Sequence, residues 1–227
     1  MILTELPLEI TVENIIRAQG LVFKVVQTKS PRLIDATRKA VKVGYPYLEP
    51  RVVFERYAIS EFTSTGIMLE NSISLEGELI KQHFKDSKEI VAAVCTVGER
   101  IAEFISQTFP QDIALAMALE ALASSATEIL GNSLCNYFDR LVGEEGLFTI
   151  LPINPGMQGW PVEIGQPQIF SLIDSKSIGV TLEDSGLMRP LKSLSMIIGI
   201  SRFKRPHQKS CDLCSLQNNC PYKPDPD

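Results

Sequence analysis

Ser193-Leu194-Ser195-Met196-Ile197-Ile198-Gly199-Ile200 and, well before it, Glu89-Ile90-Val91-Ala92-Ala93-Val94-Cys95-Thr96 decide the fold. The second is a continuous apolar run, consistent with a strand covered on both faces, and the first reads as a strand as well. Ile178-Gly179-Val180-Thr181-Leu182 reads as a further strand, separated from Ser193 by a loop with Met188-Arg189-Pro190. Outward from these, 52–59 and 147–153 read as strands, and Asn154-Pro155-Gly156 is turn chemistry.

Helices fill the intervals. Thr11 caps a short helix through Arg17, and Ser30-Pro31 opens a second that runs to about Gly44. Residues 75–84 read as helical, and Val97-Gly98 turns the chain into a helix that Pro110 stops. The longest helical segment runs from Gln111 to about Val142 and is crowded with Ala114, Ala116, Ala118, Ala121, Ala123 and Ala126. Small residues all round let a helix lie mid-core with other backbones close against it. Strands and helices interleave without a βαβ rhythm, which predicts an α+β fold with a largely antiparallel or mixed sheet.

Composition narrows the function. The chain has 227 residues, 44% apolar and 22% charged, enough for a substantial core and ordinary for a soluble globular protein. A net charge of −5 argues against nucleic acid, whose phosphates need a concentrated basic surface. No stretch reads as an uninterrupted membrane span, and the start lacks the basic flank of a signal peptide. Five cysteines, an odd number, favour a reducing cytoplasm over a disulfide framework. Catalytic motifs are missing: there is no Gly-x-Ser-x-Gly elbow, phosphate loop or dinucleotide turn, and only two histidines. His83, flanked by Lys81 and Lys85, reads as a surface residue. A chain so poor in acid–base partners is read as an accessory or binding protein with no catalytic residue of its own.

The end of the chain carries a separate signal, Cys211-x2-Cys214-x5-Cys220-Pro221. Such spacing lets three thiolates converge on zinc or an iron–sulfur cluster, with a fourth position left to His207, Cys135, solvent or a partner. Cys95 stands apart, mid-strand in an apolar run, as a small hydrophobe.

A resemblance joins these parts. Asn154-Pro155-Gly156-Met157-Gln158-Gly159-Trp160-Pro161, then Ile169-Phe170-x-Leu172-Ile173-Asp174, then Ile178-Gly179-Val180-x-Leu182-x-x-Ser185-x-x-Met188-x-Pro190-x-x-Ser193-x-Ser195 resembles the activation domain of cobalamin-dependent methionine synthase. It looks closest to the short, free-standing forms, some of which end in a cysteine cluster. Upstream, Val94 to Gly98 looks like the family's strand ending in a Thr-Ile-Gly turn, and Glu120 to Glu128 like its small-residue helix ending in Glu. Most of residues 50–220 is covered, and Ile178 to Ser195 is the specific part.

The resemblance implies a twisted, mainly antiparallel sheet with flanking helices. It divides the chain into an N-terminal helical segment (1–50), the activation-domain-like α+β domain (51–204) and a cysteine tail (205–227). It implies an S-adenosylmethionine site around Glu128, Pro155, Gly156, Met157, Ser185 and Ser193. It also implies a partner, a corrinoid protein or cobalamin-dependent methyltransferase in methionine biosynthesis, whose cofactor is reactivated by reduction and methylation. Glu128 also reads as a carboxylate on the exposed side of a partly buried helix, and Ser193 and Ser195 as hydroxyls along one face of an edge strand.

One departure bears on affinity. The family's turn runs Arg-x-x-Pro-Gly-Tyr, whereas here Pro152 stands at the Arg position and Met157 at the Tyr position. Proline has no charge and no donor, so the bidentate grip an arginine gives a ligand carboxylate is missing there, weakening S-adenosylmethionine binding. The competing expectation is a metal-bearing partner of a corrinoid methyltransferase that no longer binds S-adenosylmethionine and works through Cys211, Cys214 and Cys220.

Overall fold

The computed structural model describes residues 1–205. Seven strands form one antiparallel sheet: β1 (Ile2–Leu3), β2 (Arg51–Phe62), β3 (Gly66–Leu69), β4 (Ser74–Glu76), β5 (Ser87–Thr96), β6 (Phe148–Ile153) and, last in the chain, β9 (Ser193–Ser201). The spatial order is β4-β3-β2-β5-β9-β6, with β1 added on β2. The two deciding stretches lie side by side, from Glu89 opposite Ile200 to Thr96 opposite Ser193. β9 is therefore interior, between β5 and β6, and not an edge strand.

Both faces of the sheet centre are covered, which is why its strands read as apolar runs. Successive side chains alternate between faces. Val91, Ala93 and Cys95 of β5 join Met196, Ile198 and Ile200 of β9 in one core. Ile90, Ala92, Val94 and Ile197 join the other. The first core is roofed by α6 (Ile113–Glu144), with α1 (Val12–Ala18), α3 (Pro31–Gly44) and α5 (Arg100–Thr108) around it. The second is roofed by α4 (Glu78–His83), α7 (Val162–Leu172) and Trp160, which is fully buried.

The long helix forms where its composition says it should. Asp112 caps it, accepting from the Leu115 N–H at 3.0 Å and so satisfying one of the free donors of the first turn. Packing contributes far more. Its 32 residues span about 48 Å, and Leu119, Leu122, Leu130, Leu134 and Phe138 are buried beside its alanines. By length and composition alone α6 could cross a bilayer, against the expectation from the sequence; here most of its apolar side chains are buried in the core, while Ile113, Met117 and Leu141 are exposed. Gly131 lets β9 approach, since a Cβ there would meet Leu194 Cδ2 at 2.7 Å and Met196 Cε at 2.9 Å.

Several local expectations are corrected. Residues 75–84 are not one helix: Leu75 pairs with Ile67 in the sheet, and Gly77, at φ 152, breaks the chain before α4. Residues 178–182 are not one strand either. Ser175–Ile178 form a 3-10 turn that Gly179 ends at φ 75, and only β7 (Thr181–Leu182) pairs, with β8 (Met188–Arg189), in a separate ribbon. Ile178 and Val180 are both buried as anchors of that ribbon, which explains their strand-like pattern. α2 (Phe23–Lys29) and β3 carry too weak a pattern to be read beforehand. Residues 1–50 contribute Ile15 and Ala40 to the α6-side core.

His83 is buried, not a surface residue, and its Nε2–H donates to Leu151 O at 2.8 Å. That bond compensates a break in the β6–β9 ladder, whose register shifts between Ile150 and Ile153, where Pro152 has no N–H to offer. Burial holds the imidazole pKa below its usual value, and nearby Arg205 adds to the effect.

Candidate functional site

Where α6 passes over the interior strand β9 and the edge strand β6, helix and sheet part to leave a groove of about 420 Å³. Ser124, Thr127, Glu128, Gly131 and Asn132 line it from α6, and Pro152, Asn154 and the run Leu191–Met196 (Ser195 excepted) from the sheet side. Helical spacing builds the first wall. Glu120, Ser124 and Glu128 lie four residues apart and so form one stripe along α6. On the other wall, Asn154 is fixed by donating from Nδ2 to Ser195 O at 2.7 Å. Ser193 Oγ donates to Pro190 O at 2.7 Å and lies 3.0 Å from Thr96 Oγ1.

Charge in the groove is sparse and separated. Among its described lining residues Glu128 is the one carboxylate and Lys192 the one ammonium. Lys192 Nζ contacts Glu120 Oε2 at 2.6 Å and donates to Ser124 Oγ at 3.0 Å. Cys135 also lines the groove, its thiol pushed up to about 12 by burial, with Asp139 adding to the shift. It is therefore a neutral wall and not a nucleophile at neutral pH. Among the described lining residues there is no histidine, and no carboxylate is hydrogen-bonded to a hydroxyl or thiol. The groove thus presents one anionic side chain from α6 and one cationic side chain from the sheet side.

A second cavity, of about 720 Å³, continues from the first past Asn132, Cys135 and Pro152. Asn136 and Asp139 of α6, Thr149 and Leu151 of β6, and Lys204 and Arg205 surround it. The Thr149 hydroxyl donates to Asp139 across this gap, and Arg205 pairs with Asp86 at 3.0 Å.

The structure distributes the expected ligand residues unequally. Glu128 and Ser193 face one groove. Pro155, Gly156 and Met157 do not line it. Past Asn154 the chain rounds the end of β6 to the opposite layer, where Pro155 abuts Gly165, Gly156 N–H donates to Trp160 O at 2.8 Å, and Met157 packs on the second core. Ser185 is exposed in the β7–β8 turn, its hydroxyl within 3.5 Å of Glu183 and accepting from Leu187 N–H. Ser195 points to α7, donating to Gln166 Oε1 at 2.9 Å. Lys192, Ser124 and Asn154 were not among the residues singled out from the sequence. For Ser124 the only available signal was its place midway between Glu120 and Glu128. Cys211, Cys214 and Cys220 lie outside the described residues. Among those described, no cluster of three His, Cys, Asp or Glu could hold a metal ion, and Cys95 is fully buried.

A long helix across one face of an antiparallel sheet, a shorter helix and ribbon across the other, and a groove where the long helix meets the sheet edge define an activation-domain fold. The structure is similar to a crystal structure of the MetH reactivation domain bound to AdoHcy, with a TM-score of 0.67 over 94% of this chain and 82% of that one. Identity is 15%, so the likeness establishes the fold that the resemblance implied. No protein-family model and no curated protein sequence matches the chain.

Proposed function

We propose that this protein binds an S-adenosyl nucleotide in the α6 groove and serves as an accessory module for a partner cobalamin-dependent methyltransferase, supporting reductive methylation of its corrinoid. The observation that carries the reading is the groove itself: a preformed cleft with Glu128 on one wall and Ser193 on the other, in the fold of a domain solved with AdoHcy. Its volume falls in the range of small-molecule sites. The methyl donor and the partner's reduced corrinoid carry the chemistry. This chain contributes what it has, orientation and a wall that keeps water from the donor. That division of labour agrees with a groove that lacks an acid–base couple.

Isothermal titration with S-adenosylmethionine tests the reading. Saturable heat, weakened about tenfold or more in Glu128→Gln, is expected, since a charged hydrogen-bond partner is lost. No heat at millimolar ligand overturns it.

A second reading has its own support. Pro152 lines the groove and offers a ligand carboxylate nothing, while Cys211-x2-Cys214-x5-Cys220 has ligand spacing. In this reading the tail holds an iron–sulfur cluster or zinc, and the protein serves the methyltransferase as an electron-transfer or metal-clipped partner. Anaerobic purification separates the outcomes. A brown protein supports the cluster, a colourless one with stoichiometric zinc supports a structural clip, and a metal-free one removes both.

A further inference from the structure

We infer that Lys192 is the residue that reads the carboxylate of the groove's ligand, so that the site selects nucleosides bearing an α-amino acid group over those without one. The inference rests on the S-adenosyl nucleotide reading above and assigns the selectivity of that site.

Three observations converge on Lys192. It is the one cation among the described residues lining the groove, and Pro152, on the same wall, has neither charge nor donor. Its ammonium is positioned from both sides: Glu120 holds it at 2.6 Å and Ser124 at 3.0 Å, leaving one of its three N–H donors for a ligand. Its backbone is pinned as well, its carbonyl accepting from Val97 N–H at 3.1 Å and from Thr96 Oγ1 at 3.3 Å. The side chain is 20% exposed, so a contact made there is less screened than one in open water.

Position then matches chemistry. Ser124, which touches the ammonium, lies one helical turn from Glu128, a rise of about 6 Å. An α-amino acid group places its carboxylate and ammonium a few ångströms apart. Adding a hydrogen-bond length at each end lets it bridge Lys192 and Glu128, carboxylate to cation and ammonium to anion. A nucleoside that ends in a methyl thioether offers neither Glu128 nor the remaining Lys192 donor a charged partner.

The test compares S-adenosylhomocysteine with 5′-methylthioadenosine, which lacks the amino acid group, on the full chain by calorimetry. The wild type is expected to prefer S-adenosylhomocysteine by about tenfold or more. Lys192→Met is expected to bind methylthioadenosine as the wild type does and to lose most of that preference. Lys192→Arg, which keeps the charge, is expected to retain it. Removing Lys192 leaves only a half-exposed Glu120 unpaired, so the fold should tolerate it, and far-UV circular dichroism checks that. If the wild type binds S-adenosylhomocysteine and Lys192→Met keeps the full preference, the assignment of Lys192 is overturned while the groove reading stands. If the wild type binds neither nucleoside, both fall.

Discussion

The two faces of the central sheet are built from the same strands and serve different ends. On the α7 side, Trp160, Ile169, Leu172, Ile178 and Val180 close over Ile90, Val94 and Ile197 as a dry core. On the α6 side the core is equally apolar beneath the helix, but toward the β6 edge it opens into a groove lined by Ser124, Glu128, Asn154 and Ser193. The earlier part of the segment that resembles an activation domain, 154–172, roofs the closed face, whereas its specific part, Ile178 to Ser195, runs from the anchors of the β7–β8 ribbon into the groove wall at Leu191–Leu194. The likeness therefore reports packing on one face and reaches the groove only at its end, while the α6 wall draws on the weaker upstream match.

The comparison breaks most visibly if the closed face tolerates truncation. Trp160→Ala deletes a fully buried side chain whose indole N–H donates to Gln168 at 3.0 Å. It should cost about 3–5 kcal/mol, read as a fall in the urea midpoint, and a loss below 1 kcal/mol would show that this face is not the closed core described. By contrast, Glu128→Gln should leave stability within about 0.5 kcal/mol, because Glu128 is exposed, and should show its effect in ligand titration alone.

The faces meet at β6, where His83 from the α7 side holds Leu151, and pH probes that joint. Burial lowers the folded-state pKa of His83, so the unfolded chain binds the proton first. Stability should be full above about pH 6.5 and fall as pH drops below it. His83→Asn should flatten the slope of the urea midpoint over this window; an unchanged slope contradicts the assignment. At lower pH a second decline is expected. The Asp112 carboxylate, held below its usual range by the Leu115 N–H and Lys39, and Glu145, held down by Arg56, both stabilise the fold above their unfolded pKa values and lose that contribution when protonated. Leu191→Ala, in the groove wall and 55% exposed, should be the mildest change, within about 0.5 kcal/mol of wild type. In the cysteine motif, Cys214→Ser should abolish any metal content measured by atomic absorption without moving the urea midpoint.

Much of the fold was legible because its main elements are locally consistent. Thr11 and Ser30-Pro31 mark helix starts, Gly143 to Gly146 mark a stop, and the runs at 89–96 and 193–200 read as strands. The site was legible in part. Glu128 stood out as a carboxylate among alanines, and Ser193 as part of a quoted motif. Lys192 fell at an unmarked position within that motif, and its role depends on the register that sets β9 beneath Ser124. His83 was misread for the same reason: flanking lysines suggest solvent, whereas the pairing of β4 with β3 and the placement of β6 bury it. Pro155 to Met157 were misplaced relative to the groove because a turn's chemistry tells that the chain reverses, not which face it then joins.

The central claim, that the open side of the sheet is the ligand site, is tested most directly by a crystal structure of the protein with S-adenosylhomocysteine. The ligand should lie against α6, its amino acid group between Lys192 and Glu128. Density over the Pro155–Met157 turn on the opposite face, or none at saturating ligand, would contradict it.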